Sequence, residues 1–173
     1  IESINRAISI NPDYAEAYSD LGIIYQELGQ SDEAFNHYVN ALAIEPDNAQ
    51  FHRNLAILKN YKEGDTQLTH MQSLLSNGNL NELDRISLCF ALAKAYKDLG
   101  MENELFIVLN EGNSLRKKEL KYSLKQSKKS HSAIKKIFTS KPTSISKTVS
   151  KDRSKQPIFI IGMPRSGTTL VEQ

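Results

Sequence analysis

The feature that most constrains this chain is a register of 34 residues. Pro12 and Pro46 stand 34 positions apart, and so do Ala7 and Ala41. A repeat of that length is one supersecondary unit, which cannot bury an apolar face alone and must stack on its neighbours. The residue types at the repeated positions suit a pair of antiparallel helices. Gly22 and Ala41 are small where two helices would cross, Gly29 can take the left-handed conformation that ends the first helix, and Pro46 stops the second.

Residues 15–48 carry this pattern most fully: Tyr18, Leu21-Gly22, Tyr25, Gly29, Ala34, Tyr38, Ala41 and Pro46. In types and offsets they resemble the tetratricopeptide repeat. The resemblance implies an all-α helical-repeat solenoid with a groove that takes a protein or peptide partner. Residues 1–14 read as the second helix of a preceding, partial repeat. Residues 49–80 read as a divergent unit: Leu55-Ala56 keeps the marks of a first helix, whereas the Gly and Ala expected next are missing. A short helix is expected over Thr66 to Leu75, with Leu68, Met71, Leu74 and Leu75 on one face. Residues 86–119 form a degenerate repeat, in which Leu92-Ala93, Tyr96 and Gly100 keep the first-helix pattern and Leu105 and Gly112 replace the usual alanines. The array is thus expected over 1–119.

Charge changes sign near its end. Residues 1–115 hold 7 Lys/Arg against 17 Asp/Glu, a net of −10, and residues 116–155 hold 14 against 2, a net of +12. Residues 120–156 read as a basic helix followed by a Ser/Thr/Lys linker, the apolar Leu115, Leu120, Leu124, Ile134 and Ile137 giving a broken amphipathic pattern. Tyr122 and Phe138 are too few to stack single-stranded bases, and no helix-turn-helix, zinc or RNP signature accompanies the charge, so nucleic acid is not expected as a partner. The segment reads as solvated linker, with favouring a nucleotide entrance or an acidic acceptor as the alternative role.

The chain closes on Pro157-Ile-Phe-Ile-Ile-Gly-Met-Pro-Arg-Ser-Gly-Thr-Thr-Leu-Val-Glu-Gln173. Ile158 to Ile161 read as a buried strand, Gly162 to Gly167 as a loop, and Thr168 onward as a helix start. Such a strand, loop and helix N-terminus form an anion site, because unpaired backbone N–H groups and the helix dipole meet there. A nucleotide P-loop reads G-x-x-x-x-G-K-[ST]; here both glycines and the last hydroxyl are kept, but Thr168 stands where the lysine for a triphosphate would be.

This segment resembles the phosphosulfate-binding loop of sulfotransferases, the branch that includes tyrosylprotein sulfotransferases and bacterial tetratricopeptide-sulfotransferase fusions. Phe90 to Gly100 and Glu111 to Arg116 are similar to phrases of those fusions too. The resemblance implies that 157–173 opens an α/β P-loop-like sulfotransferase domain. It also implies 3′-phosphoadenosine 5′-phosphosulfate as donor, without metal, held by Arg165, Ser166, Gly167, Thr168 and Thr169. Arg165 would also balance charge during transfer. The catalytic base lies beyond this loop in the family, and no residue here is assigned to it.

Other candidates are few. His37, His52, His70 and His131 show no mutual metal spacing, and Cys89, the single cysteine, lies in an apolar helical setting. One cysteine fits a reducing compartment, so a cytoplasmic location is expected. No apolar run approaches the ~18 residues of a membrane span. Ile1 in place of Met, and an end just inside a helix, read as cuts from a longer chain. Two functions stand: a sulfotransferase whose repeats recruit a partner or substrate, or a non-enzymatic interaction scaffold, with a P-loop kinase or NTPase as a further alternative.

Overall fold

A computed structural model describes residues 1–137 of the chain. The loop Arg165–Thr169, the strand and helix start expected over residues 157–173 and the linker expected beyond α8 lie outside the described residues. Eight α-helices run through the described residues: α1 (Glu2–Ile10), α2 (Ala15–Glu27), α3 (Ser31–Ile44), α4 (Ala49–Leu58), α5 (Thr66–Ser76), α6 (Glu82–Asp98), α7 (Glu102–Glu119) and α8 (Leu124–Ile137). None is long and apolar enough to cross a membrane. Helices α1 to α7 belong to one unit, Ile1–Tyr122, and α8 to a second.

The pair α2–α3 is the clearest repeat. Its turn closes through Gly29 at φ +76°, with Gln30 N–H donating to Tyr25 O at 2.9 Å. The pair α6–α7 closes identically through Gly100 at φ +69°, Met101 N–H donating to Tyr96 O at 2.9 Å. Glycine reaches this left-handed backbone without the steric cost a Cβ would bring. The close approach inside the first pair is between Gly22 and Tyr38, a different partner from the expected Ala41. A Cβ at position 22 would sit 2.9 Å from Tyr38 Cζ and nearer still to Cε1 and Cδ1. Tyr38 is buried and donates from its hydroxyl to Gln26 Oε1 at 2.9 Å, so the ring is fixed on both sides. In α7, Gly112 has the same function against α6, where an added Cβ would lie 2.9 Å from Cys89 Cβ.

Between these two repeats the stacking is irregular. Helix α3 pairs along its length with α2, whereas α5 packs on α6 and only touches α4, and α4 lies mainly against α6. The loop between α4 and α5 is held by residues distant in sequence. Asp98 accepts from Tyr61 N–H at 3.1 Å, and Lys94 Nζ donates to Lys59 O at 2.9 Å. Tyr61 itself is buried in the main core with Met71, Leu88, Cys89 and Leu92. Leu68 and Met71 turn α5 into that core, with Leu74 and Leu75 half-buried beside them. Helix α6 begins at Glu82, four residues ahead of position 86, because Asn81 caps it and accepts from Asp84 N–H at 2.9 Å.

Candidate functional site

Helices α2, α4 and α6 are joined edge to edge by a seam of polar side chains. Asn54 on α4 donates to Ser19 Oγ on α2 at 3.2 Å, and Ser87 on α6 donates to Gln50 Oε1 on α4 at 3.2 Å. Gln50 Nε2 in turn donates to Asn54 Oδ1 at 2.9 Å, and Arg53 lies over the Phe90 ring, 5.2 Å from its centroid. Ser19, Asn54 and Ser87 are buried and each has a hydrogen-bond partner, so the seam is a satisfied floor. One helical turn beyond Ser19 stands Ile23, and nearly one turn beyond Asn54 stands Ile57. They occupy the same repeat position, 34 residues apart, and are 41% and 56% exposed. Aliphatic side chains left open above a satisfied polar floor give a surface on which a peptide can lie.

A second feature was not legible in the sequence. His52 and His70, 18 positions apart, meet beside the α3–α4 turn with ring centroids 5.4 Å apart. His52 Nε2 lies 2.7 Å from Pro46 O, and Gln67 Nε2 lies 3.2 Å from His52 Nδ1. A carbonyl oxygen only accepts, so His52 carries its proton on Nε2, and Nδ1 accepts from the Gln67 amide. His70 Nε2 donates toward Asp47 Oδ1 at 2.9 Å and to Pro46 O at 3.1 Å. These residues border a cleft of about 410 Å³ with Val39, Leu42 and Leu55 on its apolar side. Among the described residues no three metal-binding side chains are grouped. His37 stacks on Tyr25 at 5.2 Å, and His131 sits on α8, away from the other three in sequence.

Burial holds the His52 pKa below its ordinary value; the Pro46 carbonyl and Asp47 pull it up, while His70 and Lys59 push it further down. A histidine with a depressed folded pKa contributes stability that is complete above the unfolded value of about 6.5 and is lost as pH falls toward the folded value. Urea midpoints of the repeats should therefore drop on acidification below pH 6.5, by at most about 1.4 kcal/mol per pH unit for this one proton. His52→Gln should flatten that part of the profile, and an unchanged profile would contradict the assignment. Cys89 is fully buried, and burial together with Glu111 pushes its thiol up to about 11, an inert core position.

Comparison with known proteins bears on the repeats. The family profile described as Tetratricopeptide repeat matches residues 4–36, and the one described as TPR repeat matches residues 24–60. Residues 4–60 carry tetratricopeptide repeats. The first match takes in most of α1, all of α2 and the start of α3, and the second the end of α2 with all of α3 and α4. Repeats of this kind point to protein–protein interaction. The chain is also similar to an uncharacterized protein of Aquifex aeolicus, 29% identical over 163 residues and 94% of this chain. It spans about a fifth of that relative's length, 21%.

Helix α8 is a separate feature. It carries Lys125, Lys128, Lys129, Lys135 and Lys136 and no acidic residue, and its Leu124 and Ile134 are more than half exposed.

Proposed function

We propose that this chain is the recruiting and donor-binding part of a sulfotransferase. Its tetratricopeptide repeats hold a protein partner or substrate, and its C-terminal loop binds 3′-phosphoadenosine 5′-phosphosulfate. The observation that carries this is the loop Gly162-Met-Pro-Arg-Ser-Gly-Thr-Thr169, which keeps the phosphate cradle and has Thr168 in place of the triphosphate lysine. The acceptor hydroxyl oxygen attacks sulfur in line and gives its proton to a general base to which no residue of this segment is assigned, while the bond from sulfur to the bridging oxygen breaks and adenosine 3′,5′-bisphosphate leaves. Backbone N–H groups of the loop, the hydroxyls of Thr168 and Thr169, and the Arg165 guanidinium balance the charge that gathers on the phosphate and bridging oxygens. No metal is required for a single phosphosulfate, and the lone cysteine supports a cytoplasmic setting.

The test is Arg165→Ala in the intact protein. Losing one charge-assisted contact should weaken bisphosphate binding by about 1.5–3 kcal/mol, and unchanged affinity would contradict the role given to Arg165. The second reading, a non-enzymatic scaffold, is favoured by the run of repeat helices through Ile1–Tyr122. It predicts partner binding with no nucleotide binding.

A further inference from the structure

The face that joins α2, α4 and α6 has a charge pattern as well as a shape. Glu16, Asp20, Ile23 and Glu27 follow one another at intervals of four, three and four along α2, so they form a single stripe, and all four are exposed. Glu16, Asp20 and Glu27 enter none of the ion pairs found among the described residues. Two cations on the neighbouring helices α4 and α6 are already engaged. Arg53 lies over Phe90, and Lys94 pairs with Asp98 while donating to Lys59 O. The carboxylates of α2 are thus the uncompensated charge beside the open pair Ile23 and Ile57.

We propose that this groove takes an extended basic peptide, with lysine or arginine side chains on the α2 carboxylates and an aliphatic side chain across Ile23 and Ile57. The proposal rests on the reading of the repeats as a docking element and adds the chemistry of what docks. Helical rise puts Glu16 and Asp20 about 6 Å apart along the axis and Asp20 and Glu27 about 10 Å apart. An extended chain advances about 3.3 Å per residue, so cationic side chains two residues apart match the first interval, with an aliphatic residue two further on falling near Ile23. Opposite charge at this distance sets partner choice and speeds encounter more than it adds affinity, and the aliphatic contact supplies the desolvated centre.

The probe is a short capped peptide with lysine at its first and third positions and leucine at its fifth. Its counterpart replaces each lysine by glutamate, and binding to the intact protein is followed by fluorescence anisotropy. The lysine probe should bind saturably. The double variant Glu16→Lys, Asp20→Lys should weaken it roughly tenfold, and Ile57→Asp should weaken it as well. A control of equal charge change, Asp13→Lys with Glu63→Lys in exposed turns, should leave it unaltered. Circular dichroism of each variant establishes that the helices persist, and all the substituted positions are exposed. Equal weakening in the control would reduce the effect to net charge and overturn the proposal, as would tighter binding of the glutamate probe. Binding of neither probe would overturn the docking reading of this face together with it.

Discussion

Gly22→Leu should cost the repeat unit about 3 kcal/mol, at the upper end of overpacking penalties. A single added carbon already enters the Tyr38 ring, and a leucine adds three more. Tyr38 cannot swing aside cheaply: it is 1% exposed, packs with Ala34 and Leu55, and is tied through its hydroxyl to Gln26. The thermal midpoint should fall by roughly 10 °C. Differential scanning calorimetry checks this, and an unchanged midpoint would show that α2 and α3 do not cross where the repeat requires.

Met71→Ala is the second large effect. Met71 is fully buried, the anchor that α5 sends into the cluster formed with Leu88, Cys89 and Leu92. Truncation of a buried methionine costs about 2–5 kcal/mol, from lost transfer energy and the cavity left behind. A urea midpoint shift of less than about 1 kcal/mol would mean that α5 is not part of the core.

The repeats were legible because stacking leaves so little choice at crossing points. Gly22, Ala34, Ala41 and Pro46 announce the pair α2–α3, and Ala93 with Gly100 announces α6: a Cβ at position 22 would meet the Tyr38 ring, and Gly100 takes the left-handed φ of +69° that follows α6. Finer points were not legible. The identity of the ring against Gly22 depends on how α3 is rotated, which small residues alone do not fix. The displacement of α5 rests on Tyr61–Asp98 and Lys59–Lys94, contacts between residues 37 and 35 positions apart. No periodic pattern carries such pairs. The Asn81 cap was visible in principle, as an asparagine three residues before Asp84. The meeting of His52 and His70 needed the turn at Pro46, for a spacing of 18 has no helical meaning by itself. The seam of Ser19, Asn54, Gln50 and Ser87 likewise joins three helices that only the stacked array brings side by side.

Isothermal titration calorimetry of the intact protein with adenosine 3′,5′-bisphosphate, set against ATP with Mg²⁺, tests the enzymatic reading most directly. With Thr168 at the lysine position there is no dedicated contact for a γ-phosphate, so the bisphosphate should bind without added metal and ATP should compete poorly. Tight Mg²⁺-dependent ATP binding with no bisphosphate binding would contradict it and point instead to a kinase or NTPase.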